Sequence, residues 1–269
     1  MPFTFSHPAV AIPFTHWGLV LSALVVGSMA PDLMYFFCLS TRCQFGHTLT
    51  GLVIFCIPAG LVVLWVFHTW LKYPLLSFFS ISHQERLLPV ANQFRFFPWQ
   101  RFLLIILSLF IGALTHVIWD SFTHSDRWGV QQWPFLSTAF IETTYGTIKW
   151  YKVLQYISTL VGAILMLFLY WRWLKQAPRE SIKPSIQFVF KTKLLIILLL
   201  GFSTSFLAII YGCLKVFPVI NWLSFYQFLQ YTVIAGISVG TIELIIFSVF
   251  WHLYESKKSS IGKFSRRYY

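Results

Sequence analysis

The sequence predicts an all-α, polytopic integral membrane protein with five full transmembrane helices plus an N-terminal re-entrant hairpin or sixth span. Three observations predict it. Of the 269 residues, 57% are hydrophobic and 10% charged, with a mean hydropathy of +0.70; a soluble chain carries about a quarter charged residues. Apolar windows recur at about 49–71, 102–119, 153–171, 194–214 and 228–251, each near the roughly 20 residues that a helix needs to cross the hydrocarbon layer. The basic residues, finally, gather in blocks after every second window. The chain reads as one helical membrane domain over 1–269, with its motifs in 1–165 and further helices in 175–269.

The first element is the least regular. Residues 1–31 contain no Lys, Arg, Asp or Glu, and a secretory signal needs a basic start, so a cleaved signal peptide is not expected. One reading makes 16–38 an ordinary span. The preferred one is a hairpin: a short helix from about Ser6, a turn near Pro13–Trp17, and a second helix to Ala30. Ser6 would cap the first helix, with Pro8 just inside, and Pro31 would mark the exit from the second. Such a hairpin returns Asp32 to the level of His7.

The remaining spans take their orientation from charge. Lys72, Arg86, Arg95 and Arg101 follow the 49–71 window, Arg172 to Lys193 follow the 153–171 window, and Lys257 to Arg267 form the tail. This positive-inside pattern places those blocks and the C-terminus in the cytoplasm. The loops at about 40–48, 120–152 and 215–227 then face outward. The net charge of +12 suits anionic headgroups and needs no nucleic acid. Cys56 and Cys213 read as buried thiols, as do Cys38 and Cys43 unless their loop faces an oxidising compartment, where a local disulfide can form.

Chemistry is concentrated in "GALTHVIWDSFTH", residues 112–124. His116, Asp120 and His124 stand at i, i+4 and i+8 on one helix face. The outer two are about 12 Å apart on an unbroken helix, too far to share one ion. His124 joins only if the helix ends near Ser121, or if a second ion sits beside the first with Asp120 between them. Ionisable groups are costly in hydrocarbon and mark function there. Asp32 in "GSMAPDL" and His47 in "FGHTLTG" fall at the same predicted level, as does His7. Imidazole with carboxylate suits zinc first, manganese or iron next. The alternative is that these groups only tie helices together. His16, His68, His83 and His252 read as core or interfacial, and Glu243 stays outside the site.

The series "FTFSHPAVAIP", "GSMAPD", "GHTLTG", "GALTHVIWDSFTH" and "LQYISTLVG" resembles the bacterial membrane family known as domain of unknown function 4184, over most of 1–165. More distantly it is similar to membrane-bound metal-dependent hydrolases of the bacterial inner membrane, and more faintly to zinc-dependent phospholipase C. The resemblance implies that His7, Asp32, His47, His116 and Asp120 are ligands or catalytic groups, and His124 belongs to the closer family's pattern. Gln155 and Ser158, i and i+3 on the fourth window, would orient ligands or join helices.

These readings lead to a metal-dependent hydrolase of a lipid or envelope ester or phosphoester at the extracytoplasmic face. Asp32 or Asp120, whichever is not a ligand, would be the general base. No GxSxG competes. The rivals are a transporter or channel with a His/Asp pathway, and a structural membrane protein. Membrane lipid is the expected partner.

Overall fold

The computed structural model describes residues 4–144, 146–180 and 188–265. Among them, six helices are long and apolar enough to cross a membrane. In chain order the helices are α1 (Leu21–Cys38), α2 (Leu49–Leu76), the amphipathic α3 (Ile81–Gln93), α4 (Trp99–Ser121), α5 (Trp150–Gln176), α6 (Phe190–Val216) and α7 (Trp222–Ser265). The five apolar windows are the cores of α2, α4, α5, α6 and α7, and α1 is the sixth. Helix α2 carries two π-helical turns, Leu52–Cys56 and Phe67–Leu71. The chain is not wholly helical. Between α4 and α5, β1 (Ala139–Thr143) pairs antiparallel with β2 (Gly146–Lys149).

The N-terminal segment departs from expectation in an informative way. Pro31 does not end a helix; α1 runs through it to Cys38. A membrane helix tolerates such a proline because neighbouring groups re-satisfy the freed carbonyl. Asp32 therefore lies inside α1 rather than at its end. Ser6 caps nothing either: its hydroxyl donates to Thr159 O at 3.0 Å, while Pro8 does open a helical turn. The chain does reverse ahead of α1, which is itself among the six helices long enough to span. Thr4–Ser6, Pro8–Ala11 and Ile12–Trp17 form a first arm, the chain reverses at Gly18, and α1 is the return arm. Equal lengths of chain, 7 to 18 and 21 to 32, run along the two arms, so His7 and Asp32 come level.

Cys38 and Cys43 are joined in a disulfide rather than left as thiols, whereas Cys56 is a buried free thiol and Cys213 a half-buried one. The chain forms two compact units, between which it passes several times. One contains the chain up to Met34, Gln44–Leu64 and Arg95–Gln176; the other holds Tyr35–Cys43, Trp65–Phe94 and the chain from Ala177. In the first, Ala30, Leu52, Cys56 and Ala113 form a small core that fastens α1, α2 and α4, with Phe55, Phe110 and Val117 packed on it. In the second, α6 and α7 lie side by side. There Glu243 Oε2 accepts a 2.6 Å hydrogen bond from Thr204, which accounts for a carboxyl group in mid-span. His252 Nε2 lies 3.0 Å from the Trp70 carbonyl, and His68 stacks on Phe94. Both histidines pack within the second unit, as expected of background residues.

Candidate metal centre

Close approach of backbones places the candidate ligands. Helices α1 and α4 meet at Gly27 and Gly112, where a Cβ on Gly112 would lie 2.5 Å from Leu24 O and 2.7 Å from Ser28 N. No larger residue fits that crossing. One turn beyond it, His116 extends its ring toward α1, and Nδ1 lies 2.8 Å from the Ser28 carbonyl. That bond requires a proton on Nδ1 and leaves the Nε2 lone pair free to bind. Gly46 plays the same part for His47: its Cβ would lie 2.6 Å from Pro31 O. The turn Phe45–His47 therefore rests on α1 beside Asp32, and Thr48 Oγ1 then caps the next helix by accepting from Gly51 N at 3.0 Å. The sequence "FGHTLTG" is thus a close approach, a candidate ligand and a cap in succession.

The side chains converge. His47 Nε2 lies 3.4 Å from Asp32 Oδ1 and 3.6 Å from Asp120 Oδ2. His116 Nε2 lies 3.6 Å from Asp32 Oδ1 and 3.4 Å from Asp120 Oδ2. Two imidazoles and two carboxylates thus alternate around a closed ring. His7 Nε2 is 3.7 Å from Asp120 Oδ1, and its ring stacks on His116 with centroids 3.8 Å apart. All five residues are buried. His124 lies just past the end of α4 at Ser121, its Nδ1 3.7 Å from Asp120 Oδ1. It stands at the rim, where burial lowers its pKa and the Asp120 carboxylate opposes that shift. Its neutral imidazole is the form that can bind an ion.

These contacts are longer than a well-formed hydrogen bond, which places donor and acceptor 2.7–3.2 Å apart; the 3.4 Å pairs His47–Asp32 and His116–Asp120 come nearest to one. His7 Nε2, Asp32 Oδ1, His116 Nε2 and Asp120 Oδ1 are buried with no hydrogen-bond partner among the described residues. Each such atom costs about 1–3 kcal/mol unless something satisfies it. The spacing suits an ion: two ligands at 2.0–2.2 Å from a tetrahedral centre lie about 3.3–3.6 Å from each other. Two sets satisfy the proximity that a shared ion demands, His7 with His116 and Asp120, and Asp32 with His47 and His116. The residues present therefore fit a divalent metal.

Of the residues expected to orient ligands, Gln155 is buried, its Oε1 accepting from Lys152 Nζ at 2.8 Å while its Nε2 has no partner. Ser158 Oγ donates to Gln155 O within α5. Neither side chain bonds a cluster residue. Two groups that the motifs did not disclose do so instead: the Ser28 carbonyl, and Thr4, whose hydroxyl donates to Asp32 Oδ2 at 2.5 Å. Asp32 is thereby held with Oδ1 toward the histidines. Beside His7 lies a groove of about 240 Å³, walled by Val10, Trp119, Ile157, Val161 and Leu165, with Ser6 and Ser158 as further polar lining.

A family model described as "Domain of unknown function (DUF4184)" matches residues 1–249. The chain belongs to that family. The DUF4184 match runs well past residue 165, where the recognisable motifs end, and so includes α6 and most of α7. No curated protein and no solved structure matches the chain.

Proposed function

We propose that this DUF4184 protein is a metal-dependent hydrolase acting on an ester or phosphoester of a lipid or envelope molecule, at the extracytoplasmic face of the bacterial inner membrane. The observation that carries the reading is the ring of His47, Asp32, His116 and Asp120, spaced for an ion and more widely than well-formed hydrogen bonds. A cluster that merely tied helices together would close those gaps to hydrogen-bond length.

Asp32 Oδ1, His47 Nε2 and His116 Nε2 hold the ion, with zinc expected first and manganese or iron next. When bound, the ion lowers the pKa of water into the neutral range and polarises the carbonyl or phosphoryl oxygen under attack. Thr4 and the Ser28 carbonyl fix the orientation of two of the ligands. Asp32 is committed to binding, so Asp120 is the general base, and its Oδ2 accepts the proton of the attacking water. The groove against His7 suits the apolar portion of a lipid, because Val10, Ile157 and Val161 on its walls are exposed, the last two on α5, which is long and apolar enough to cross a membrane. Two features support the outward orientation. The basic blocks lie on alternate connections, and the Cys38–Cys43 disulfide sits in the loop before His47, a bond that persists in oxidising compartments.

The test is release of product from phospholipid or carboxylic-ester lipid in vesicles, using purified protein of known metal content. Chelator should abolish release, added metal should restore it, and His116→Ala should lack it. Metal-loaded protein that cleaves neither class of lipid would overturn the hydrolase reading. Protein purified without metal, and unable to take any up, would overturn the metal centre itself.

A further inference from the structure

The start of α5 carries two hydrogen-bond donors that the metal centre does not use. Gln155 is 2% exposed, and its Oε1 accepts from Lys152 Nζ at 2.8 Å. A lysine ammonium can only donate, so this bond fixes the amide with its oxygen toward Lys152. The other half of the amide, Nε2, is buried with no partner among the described residues. Lys152 is half-buried, and its partners among those residues, Gln155 and the Tyr151 ring at 5.8 Å, are both uncharged. A buried donor and an unbalanced cation side by side call for an acceptor that carries negative charge. We infer that Lys152 Nζ and Gln155 Nε2 form a seat for a phosphate oxygen, so that the substrate is a phosphoester rather than a carboxylic ester. The inference rests on the hydrolase reading above and narrows it to one class of bond.

Position ties the pair to the centre. Along α5, Gln155, Thr159 and Gly162 recur at i, i+4 and i+7 and share one face. That face meets the N-terminal arm: Ser6 Oγ donates to Thr159 O at 3.0 Å, and a Cβ on Gly162 would lie 2.8 Å from Ser6 Cβ. Ser6 is the residue before His7, so Gln155 lies one helical turn from the contact that seats a cluster histidine. Toward the start of the helix, Lys152 approaches the rim of the cluster. Its charge acts there on His124, adding to burial, the larger cause, in lowering the imidazole pKa. The groove beside His7 runs down the same helix, past Leu154, Ile157, Val161 and Leu165. An apolar chain lying in that groove would bring its headgroup to the start of α5.

The donor set selects the bond. Lys152 has two further N–H groups to give and Gln155 Nε2 has two, with no acceptor among them. A phosphoester brings a charged oxygen besides its ester oxygens, and N–H groups bond charged oxygens more strongly than neutral ones. A carboxylic ester brings no charge to such a seat. In the cleavage, water adds its oxygen to phosphorus and gives a proton to Asp120. The P–O bond to the alcohol breaks with its electron pair on the alcohol oxygen, which takes the proton back from Asp120. Negative charge stays on the phosphate oxygens, opposite Lys152.

The experiment joins binding to cleavage on the purified full-length protein. Inorganic phosphate is titrated by calorimetry, and phosphatidylglycerol vesicles, which offer both bond types in one molecule, are assayed for the bond that is cut. Wild type should bind phosphate. Lys152→Met and Gln155→Leu should each bind it about 10–100-fold more weakly, with metal content unchanged by elemental analysis. Lys149→Met, exposed on β2, is the control and should bind as wild type does. Lys152 is only half-buried, so its variant keeps the test usable if Gln155→Leu fails to fold. Cleavage should yield diacylglycerol or phosphatidate and no fatty acid. Glycerol 3-phosphate tests a soluble source of the same chemistry, and its cleavage in place of the lipid's keeps the seat and rejects the headgroup. Phosphate bound equally by wild type and both variants, or not bound at all, overturns the seat. Fatty acid released without phosphoester cleavage overturns the choice of bond and leaves the metal-dependent hydrolase standing. Metal-loaded wild type that cuts none of these bonds overturns the hydrolase reading and this inference with it.

Discussion

Gly112→Ala tests whether helix packing positions the metal centre. The new methyl would sit 2.5 Å from Leu24 O and 2.7 Å from Ser28 N, backbone atoms that cannot rotate away. Ordinary contact for a carbon begins near 3.5 Å, so α1 and α4 must part by about 1 Å at the crossing. The Ser28 carbonyl and Asp32 both ride on α1, whereas His116 and Asp120 ride on α4. A separation of that size stretches the 2.8 Å contact between His116 Nδ1 and Ser28 O beyond hydrogen-bond reach. It also widens the 3.6 Å gap between His116 Nε2 and Asp32 Oδ1 past what a shared ion spans. Loss of an orienting partner alone typically lowers metal affinity about 10–100-fold, which is about 1.4–2.7 kcal/mol. Overpacking costs a further 1–3 kcal/mol or so in stability. Competition with a chromogenic chelator in detergent would give the affinity, and a thermal melt the stability. Gly201→Ala is the control, since its methyl would meet nothing within 4 Å. If Gly112→Ala melts lower yet binds metal within about threefold of wild type, the crossing is packing alone and does not set ligand spacing.

Chelator should lower the melting temperature of wild type, because an ion that binds only the folded state stabilises it by mass action; His116→Ala and His47→Ala should already melt lower and ignore chelator. An insensitive wild type would point instead to a helix-tying role. Thr4→Val removes the 2.5 Å bond to Asp32 Oδ2 and should weaken metal binding about 10-fold or more, while Ser158→Ala, whose hydroxyl bonds only its own helix, should leave the affinity unchanged. Equal losses from the two substitutions would refute that distinction. Single-cysteine probes replacing Ser82 and Ser259 should react only after the membrane is permeabilised, and labelling of either from outside intact cells would reverse the orientation drawn from the basic blocks. In liposomes the protein should carry no metal flux; flux that His47→Ala abolishes would favour the transporter.

The spans were legible because hydrocarbon imposes one requirement on all of them, length and apolarity, which composition records directly. The cluster was legible because charge is scarce: two of eight carboxylates fall among apolar residues in register with histidines. His124 was undecided from sequence alone, because spacing could not reveal that α4 ends at Ser121, where no glycine or proline marks the stop. Pro31 misled for a physical reason. In water a proline and an aspartate together read as an exit from a helix, but α1 is supported on its sides by α2 and α4 and continues. The Ser28 carbonyl left no trace in the sequence, since every residue has one, and Thr4 was an ordinary threonine until the hairpin brought it to Asp32. The β1–β2 ribbon escaped notice because its strands are short and largely exposed, with no clean alternation to betray them.

The Cys38–Cys43 crosslink has a consequence for how the protein is made. It fastens the last residue of α1 to the chain just before the turn that delivers His47. Such a bond needs an oxidant that the bacterial cytoplasm withholds and the periplasm provides. In the proposed orientation a nascent chain would therefore carry two free thiols at this pair until the loop emerged on the far side, and none there afterwards. Quenching with an alkylating reagent at successive times after synthesis would turn the pair into a clock for translocation, started at the ribosome and stopped when the loop that leads to His47 arrives.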